Sequence, residues 1–338
     1  MNYRYIGRTG LRVSPICLGT MTFGTQCDKK EAFKIMDKAY EAGVNFFDTA
    51  ELYPVPPSGE LAGLTEEIVG QWLKEKPRDK MIIATKVAGA ASGWFVPPTR
   101  FGLTAMDRHH ITKAIEGSLK RLNIDYIDLY QMHWPDTIVP IEESMEAFDR
   151  LVQEGKVRYL GTSNDTAYGT TKANMSAKMN SHTRFESIQN NFSLLNRRFL
   201  DEMKVMCENE DISLLPYSPL AGGVLSAKYN QKFSSGGRFS AYMSSDNPRV
   251  RAQAARFVND KTLASTQKYV DIAKEAGITP VTLATAWSKQ FSFVASTIIG
   301  ATTVKQLDDS LVAMDLKLSE EVLKACDTVH DEILYPMG

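Results

Sequence analysis

Short apolar runs alternate with longer amphipathic segments along most of the chain. Each run has the length and residue types of a β-strand, and each following segment repeats its apolar residues at helical spacing. The predicted strands are residues 16–20, 45–48, 81–86, 126–133, 157–162, 187–191, 212–217 and 296–300. Eight such units are the number that a closed (β/α)8 barrel contains. We therefore predict an α/β fold, a (β/α)8 TIM barrel, formed by residues 1–338 as a single domain.

A β-hairpin is predicted before the first of these units. Residues 3–6 and 11–14 alternate apolar and polar positions on either side of a glycine-containing turn. The predicted helices with the clearest periodicity or end signals are residues 30–42, 108–122, 141–153, 260–275 and 281–289. Ser265 and Ser319 are predicted N-caps, because a serine hydroxyl can accept a hydrogen bond from the first helical turn.

Three connections are longer than a turn requires, and each follows a predicted strand. They are residues 88–107, 134–140 and 219–259, the last rich in Gly, Ser and Arg. Long loops in compact domains commonly carry function, and in a TIM barrel the loops after the strands form the active-site face. We therefore expect the active site at the carboxyl ends of the strands.

Charge and cysteine usage exclude several classes of function. The chain has 39 basic and 40 acidic residues and a net charge of -1, which does not favour nucleic acid or an anionic membrane as a partner. The four cysteines (Cys17, Cys27, Cys207, Cys326) and the five histidines show no metal-binding spacing, so no metal site is expected. No apolar run approaches the roughly 18 residues of a membrane span, and no signal peptide is visible. We expect a cytoplasmic protein.

Four polar residues come at or shortly after the ends of predicted strands. Asp48 follows two phenylalanines, Lys86 closes an apolar run, and His133 ends the fourth predicted strand. Tyr53 follows Asp48 in a loop that contains several prolines. Each residue alone fits a structural role, such as a capping aspartate, a solvated lysine or a core histidine. Together at one barrel end they favour a catalytic site, with Asp48 as the counter-ion of Lys86.

Motifs along the whole chain, in order, resemble those of the aldo-keto reductases. They are Gly19-Thr20-Met21, Asp48 with Tyr53, Lys86, His133, Gly161-Thr162-Ser163-Asn164, Gln189-Asn190, Tyr217-Ser218-Pro219-Leu220 and Ile299-Gly300-Ala301-Thr302 with Gln306. The resemblance runs from the hairpin to the final helix. It implies an NADP(H)-dependent oxidoreductase that reduces aldehydes or ketones to alcohols.

The resemblance also implies how the four polar residues act. Hydride transfer to a carbonyl builds negative charge on its oxygen, which must receive a proton. Tyr53 is the implied proton donor, Lys86 is expected to lower its pKa, and Asp48 is expected to hold Lys86. His133 is expected to donate a hydrogen bond that orients the carbonyl. No metal is needed, because a nicotinamide and side chains carry the reaction.

A cofactor site across the same barrel face is implied by the resemblance, with NADPH or NADP+ as the cofactor. No G-x-G-x-x-G motif follows a strand, which argues against a Rossmann reductase. The nicotinamide end is expected to meet Ser163, Asn164, Gln189 and Tyr217. The pyrophosphate is expected to meet Ser218, Leu220 and Gly222, and the adenosine end Lys228, Arg238, Thr302, Gln306 and Asp309. The remaining implied cofactor residues are Thr20, Met21, Asp48, Pro219 and Gly300.

One position departs from the family pattern. Ser310 stands where many relatives carry an asparagine that binds adenine. The sequence does not decide whether adenine is contacted here, although a serine could replace part of the contact. The cations Lys228 and Arg238 favour NADPH over NADH, because the 2′-phosphate calls for positive charge. The alternative for Arg238 is a solvated side chain in a Gly- and Ser-rich loop.

The substrate is expected to be a small carbonyl compound held by an apolar mouth. Candidate lining residues are Trp94, Phe95, Trp134 and Phe192, with Met21 and Tyr335 as further candidates. A nicotinamide-sensing subunit of the potassium-channel β type is the alternative function, although such subunits carry an extended N-terminal segment before the hairpin. A metal-dependent barrel hydrolase is a poorer alternative without a histidine cluster. The oligomeric state is left open by the sequence.

Overall fold

Eight parallel strands form the centre of the structure, and an antiparallel hairpin precedes them. The computed structural model describes residues 2–90, 104–230 and 237–337. The strands are β1 (Arg4–Tyr5), β2 (Arg12–Val13), β3 (Ile16–Gly19), β4 (Phe46–Asp48), β5 (Ile82–Val87), β6 (Ile127–Met132), β7 (Val157–Ser163), β8 (Phe185–Gln189), β9 (Ser213–Leu214) and β10 (Thr297–Ile299). Neighbours in the sheet follow the order β10-β3-β4-β5-β6-β7-β8-β9. Every predicted strand therefore overlaps an observed one, and most differ by a residue or two at their ends.

The two outer strands of this order also meet, which closes the sheet into a barrel. The backbone N–H of Leu214 donates to the carbonyl of Phe293 at 2.8 Å, and that of Ala295 donates to the carbonyl of Leu214 at 3.0 Å. The N–H of Ile298 donates to the carbonyl of Pro216 at 2.8 Å. Because both edges are satisfied in this way, the fold is the predicted (β/α)8 barrel.

Helices surround the barrel and connect successive strands. They are α1 (Lys29–Glu41), α2 (Leu64–Leu73), α3 (Arg108–Leu122), α4 (Ile141–Gln153), α5 (Ala167–Met179), α6 (Met203–Glu210), α7 (Arg238–Met243), α8 (Pro248–Phe257), α9 (Asp260–Glu275), α10 (Pro280–Lys289), α11 (Asp308–Val312) and α12 (Glu320–Glu332). The predicted cap Ser319 accepts from the N–H of Val322 at 3.4 Å. The prediction for Ser265 is wrong, because this residue lies inside α9 and Asn259 caps that helix.

Alternation along the strands divides the apolar residues into two cores. Phe46 points into the barrel with Cys17 and Leu129, whereas Phe47 points outward to the helices and packs on Trp72 at 5.0 Å between ring centroids. The hairpin contributes Ile6 and Val13 to the inner core, which shows that it covers the amino-terminal end of the barrel. The opposite end, where the polar strand ends lie, is left for the site.

The predicted long loop at residues 219–259 contains more structure than expected. A 3-10 segment (Ala221–Ser226) is followed by α7 and α8. The start of α8 carried a readable signal, because Asn247 caps it and Pro248 occupies its first turn. In the part of the chain that the structure describes, none of the helices has the length and apolar character needed to cross a membrane.

Candidate active site

A buried ion pair occupies the carboxyl end of the barrel interior. Asp48 is the last residue of β4, and Lys86 is the next-to-last residue of the neighbouring strand β5. The Lys86 ammonium donates to Asp48 Oδ1, and it also donates to the carbonyl of Thr49 at 2.8 Å. Both side chains are almost completely excluded from solvent. The predicted partnership of Asp48 and Lys86 is therefore present in the structure.

The second carboxylate oxygen of Asp48 binds two amides. Gln131 Nε2 donates to Asp48 Oδ2 at 3.0 Å, and Gln189 Nε2 donates to the same oxygen at 2.9 Å. Gln189 Nε2 also donates to Gln131 Oε1 at 3.1 Å. These bonds compensate the removal of the carboxylate from water, so Asp48 is fixed from both of its oxygens.

Tyr53 reaches this ion pair from the loop after β4. Its carbonyl accepts from the N–H of Gly63 at 3.1 Å, which ties the loop to the start of α2. Its ring packs in a small apolar cluster that includes Met21 and Ala88. The Lys86 ammonium donates to the phenolic oxygen at 3.5 Å and lies 5.0 Å from the centroid of the Tyr53 ring. The phenol thus stands next to a fixed positive charge.

His133 completes the group predicted from the sequence. It follows β6 directly, is 8% exposed, and its ring meets the Tyr53 ring edge-on with the centroids 5.8 Å apart. Its carbonyl accepts from Asn164 Nδ2 at 2.9 Å. Among the described residues, no donor or acceptor reaches His133 Nδ1. The structure therefore brings Asp48, Tyr53, Lys86 and His133 together, as predicted.

The pKa shifts at this site are dominated by removal from water. Burial raises the pKa of Tyr53, and the Asp48 carboxylate adds to this, although the Lys86 ammonium acts in the opposite direction. Burial and the Lys86 charge hold the pKa of His133 well below its ordinary value. For Lys86, burial lowers the pKa, but Asp48 and Tyr53 together raise it above the ordinary value. At neutral pH the site holds a charged lysine, a neutral phenol and a neutral imidazole.

The direction for Tyr53 corrects the expectation from the sequence. We expected Lys86 to lower the Tyr53 pKa, and its charge does so, but burial of the phenol outweighs it. The depth of the side chain is set by the apolar cluster around it and could not be read from the motif. The protonated phenol is the form that can give up a proton.

The residues expected at the nicotinamide end lie beside this group. Ser163 Oγ donates to the carbonyl of Gln189 at 2.8 Å, and the Tyr217 hydroxyl donates to Asn164 Oδ1 at 2.8 Å. Burial, with a contribution from Tyr53, raises the pKa of Tyr217 to about 12. These four residues come from the ends of β7 and β8 and from the bridge after β9, so the barrel brings them to one rim.

The predicted phosphate residues form a turn with two cations against it. Gly222 and Gly223 have φ values of 66° and 95°, which a residue with a side chain rarely adopts. A Cβ at Gly222 would lie 2.9 Å from Arg238 Nη2, and one at Gly223 would lie 2.7 Å from Lys228 Nζ. The Arg238 charge contributes to lowering the pKa of Lys228, after burial, so the two cations are close enough to interact. Ser218, Pro219 and Leu220 lead directly into this turn.

Three of the five residues expected around adenosine, namely Thr302, Gln306 and Asp309, fall on the segment after β10. Gln306 Oε1 accepts from the backbone N–H of Thr302 at 2.8 Å and from its hydroxyl at 3.2 Å, so these two side chains hold each other. The carbonyl of Asp309 accepts from Thr282 Oγ1 at 2.8 Å, and Ser310 is buried. Gly300 is exposed, whereas Thr20 is buried and binds the carbonyl of Asp48 through its hydroxyl at 2.9 Å.

Sequence comparison identifies the family to which this arrangement belongs. A model of the aldo/keto reductase family matches residues 15–331. The chain belongs to the aldo/keto reductase family. It is 37% identical to "Protein tas" of Escherichia coli over 99% of each chain. It is 38% identical to "Uncharacterized oxidoreductase YrpG" of Bacillus subtilis over 97% of this chain and 96% of the relative.

A further relative carries a different name. The chain is 34% identical to "Probable voltage-gated potassium channel subunit beta" of Arabidopsis thaliana, over 94% of this chain and 92% of the relative. Membership of the aldo/keto reductase family supports oxidoreduction of a small molecule with a nicotinamide cofactor. Within the described residues, no three His, Cys, Asp or Glu side chains converge in a way that could hold a metal ion.

The residues predicted to line the substrate mouth have different outcomes in this aldo/keto reductase. Trp134 follows His133 and is 43% exposed, which suits a residue at the rim. Phe192 is 0% exposed and packs against Phe199, Trp287 and Phe291 in the layer between barrel and helices. Its predicted place in the mouth is therefore wrong, because its side chain is fully buried among these aromatic rings. Trp94 lies outside the described residues, as does Phe95.

Sequence reasoning missed Gln131 and Thr49. Gln131 stands in an apolar run of β6 at a position that points into the barrel, two residues before His133. A polar residue on the same face of a buried strand as a candidate catalytic residue was the available signal. Thr49 acts through its backbone carbonyl, for which a sequence carries no side-chain signal.

Proposed function

We propose that the protein is an NADP(H)-dependent reductase of aldehydes and ketones, with Tyr53 as the proton donor. The observation that carries this proposal is the Tyr53 phenol, buried and neutral, 3.5 Å from the Lys86 ammonium. A neutral phenol can give a proton to a carbonyl oxygen, and the adjacent cation stabilises the phenolate left behind.

The residues present fit a nicotinamide dinucleotide phosphate. The side chains of Phe239, Arg238 and Lys228 fill the space beside the turn at Gly222 and Gly223, so two cations stand against its backbone. Two cations at a glycine turn suit phosphate groups. The side-chain amides of Asn164 and Gln189 near the ion pair suit a carboxamide. When bound, the reduced nicotinamide would supply the hydride to the carbonyl carbon.

The side chains of this chain then have separate tasks. Tyr53 transfers the phenolic proton to the substrate oxygen as negative charge develops there. Lys86 stabilises the resulting phenolate, and Asp48 with Thr49 holds Lys86 in line. His133 stays neutral because burial and the Lys86 charge lower its pKa, so its ring carries one N–H that can orient the carbonyl. Trp134 at the rim is proposed to contact the substrate.

The first test is turnover with an aromatic aldehyde. Purified protein is mixed with NADPH and 4-nitrobenzaldehyde, and the loss of NADPH absorbance is followed with alcohol product measured in parallel. We expect NADPH to be consumed only when both the enzyme and the aldehyde are present. Tight NADPH binding without turnover of any aldehyde or ketone tested would contradict a reductase. It would favour the alternative function, a nicotinamide-sensing subunit.

The second test concerns the preference for NADPH over NADH. If Arg238 meets the 2′-phosphate, Arg238→Ala should weaken NADPH binding by about 1.5–3 kcal/mol, the range for hydrogen bonds to charged groups. NADH binding should change little. Both cofactors are titrated against wild type and variant by calorimetry. Equal losses for the two cofactors would mean that Arg238 holds the pyrophosphate or the turn instead.

A further inference from the structure

Gln131 lies where the Asp48–Lys86 pair meets the side chain of Gln189. We propose that Gln131 is a positioning residue that fixes Asp48 and Gln189 together, so that a single buried amide links the proton-donating group to the nicotinamide contact. The inference rests on the proposed function, because it assigns a role toward the nicotinamide. It concerns a residue that touches neither the phenol nor the ammonium.

The hydrogen bonds allow only one orientation of the two amides. A carboxylate oxygen can only accept, so both Gln131 and Gln189 must turn their nitrogens to Asp48 Oδ2. The second hydrogen of Gln189 Nε2 then points to Gln131 Oε1 at 3.1 Å. Gln131 therefore donates to the carboxylate and accepts from the neighbouring amide at the same time. Leu, Met or any other apolar side chain can do neither.

This arrangement leaves one group of Gln189 available to a ligand. Both hydrogens of its amide are used by Asp48 and Gln131, and no donor among the described residues reaches Gln189 Oε1. The carboxamide of a nicotinamide carries N–H donors that match such an oxygen. Because terminal amide torsions are broad, a Gln189 amide held by Asp48 alone could still rotate about that one hydrogen bond. Its bond to Gln131 removes that freedom before a ligand arrives.

The neighbouring strand leaves space in the barrel for the Gln131 side chain. Gln131 is 0% exposed. Its neighbours in the sheet are Lys86 of β5 on one side and Gly161 of β7 on the other. A Cβ at Gly161 would lie 3.2 Å from Gln131 Cγ and 2.4 Å from Ser187 Oγ. The glycine therefore leaves the space that the amide needs to reach Asp48.

The test uses Gln131→Met, which keeps an unbranched side chain and removes both hydrogen-bonding functions. Gln131→Leu is the second variant. Tyr130→Phe is the matched control, because it removes a buried polar group from the adjacent position of the same strand, where the hydroxyl has no partner among the described residues. Affinities for NADP+ and for 2′,5′-ADP, which lacks the nicotinamide, are measured by calorimetry alongside kcat and thermal unfolding.

We expect the Gln131 variants to lose affinity for NADP+ by about fivefold, which corresponds to one lost hydrogen bond. Binding of 2′,5′-ADP should stay within about twofold, since the fragment does not reach Gln189. The kcat for aldehyde reduction should fall by about tenfold, because Asp48 loses one of its two amide donors. Tyr130→Phe should leave both affinities and kcat unchanged.

Four results would overturn the proposal. Unchanged NADP+ affinity and kcat in both Gln131 variants would remove the positioning role while leaving the reductase assignment intact. Equal losses for NADP+ and 2′,5′-ADP, or failure of both variants to fold while Tyr130→Phe folds, would assign Gln131 to the core. If wild type binds neither ligand and reduces no aldehyde, the proposed function fails and this inference fails with it.

Discussion

Two buried ion pairs lie on opposite faces of the same strand. Lys86 of β5 points into the barrel to Asp48, whereas the preceding residue, Thr85, points outward and its hydroxyl donates to Glu66 Oε1 at 2.5 Å. Glu66 in α2 accepts from Arg121 Nε of α3 at 2.7 Å. Because side chains alternate between the two faces of β5, this strand contacts one carboxylate inside the barrel and another between the helices. Both carboxylates are buried and both have a basic partner.

The cations and their neighbours distinguish the two pairs. Arg121 remains charged at any accessible pH and forms a planar set of donors, so it suits a fixed contact between helices. Lys86 is a compact charge that also reaches the Tyr53 hydroxyl at the barrel mouth. A tyrosine stands near the second pair too, since the charges of Glu66 and Arg121 act on Tyr130, but no partner among the described residues binds its hydroxyl. Burial of charge alone therefore does not mark an active site; the two pairs differ in that Lys86 contacts a tyrosine hydroxyl at the barrel mouth.

Removing the hydroxyl of Tyr53 and, separately, that of Tyr130 should give the largest difference between the two ion pairs. Tyr53→Phe should lower kcat by at least about a hundredfold, because a general acid commonly contributes between about a hundredfold and ten-thousandfold. Cofactor affinity should be nearly unchanged, since little volume is lost. Tyr130→Phe should keep kcat within about twofold of wild type. Steady-state kinetics with the chemical step limiting measures both. More than about a tenth of wild-type kcat in Tyr53→Phe would reject Tyr53 as the donor.

Removing the two cations should separate chemistry from stability. Lys86→Met and Arg121→Met each leave a buried carboxylate without its basic partner, so each should lower the free energy of unfolding by about 3 kcal/mol or more. Only Lys86→Met should also remove most of the activity, and Asp48→Asn should have a smaller effect because it acts through Lys86. Denaturant unfolding and kcat are measured on all three. A comparable fall in kcat in Arg121→Met would mean that the outer pair also takes part in the chemistry.

The pH dependence of reduction should report the raised Tyr53 pKa. Burial holds this pKa above about 10, and the lowered His133 pKa keeps the imidazole neutral above about 6.5. Neither group changes its charge between these values, so kcat should be level there and should fall only as the pH rises through the Tyr53 pKa. A rate profile and an ultraviolet difference titration against Tyr53→Phe measure this. A decline centred near neutral pH would contradict the neutral-phenol assignment.

The smallest expected effect concerns Glu66. Burial raises its pKa above the ordinary value, although Arg121, Thr85 and Ser118 act in the opposite direction. A folded-state pKa above the unfolded one means a contribution to stability that is present below about 4.5 and lost as pH rises through the folded pKa. Unfolding of wild type and Glu66→Gln is compared between pH 4 and 8. The wild type should lose stability relative to the variant as pH rises; the opposite slope would show that Arg121 dominates.

The sequence predicted the order of the strands and the four polar residues at their ends, because apolar periodicity and strand ends are local signals. It did not predict that Phe192, after β8, would join the outer core, since that depends on aromatic side chains distant in the sequence such as Trp287 and Phe291. The net direction of the Tyr53 pKa also required the depth of the side chain. Gln131 was missed because its hydrogen-bond partners, Asp48 and Gln189, lie on other strands and are far from it in the sequence.

The hydrogen bonds of Arg4 have a consequence for how the chain folds. Its guanidinium donates to the carbonyls of Lys289, Phe291 and Val294 at 2.8, 2.9 and 2.5 Å, and β3 pairs with β10, so segments separated by up to 290 residues bind each other. Until β10 is made, β3 has an unpaired edge on which other strands can add. Contacts of such long sequence separation form slowly because the loop between them must close first. The barrel can therefore close only after β10 has been made, and closure brings together segments that lie far apart in the sequence.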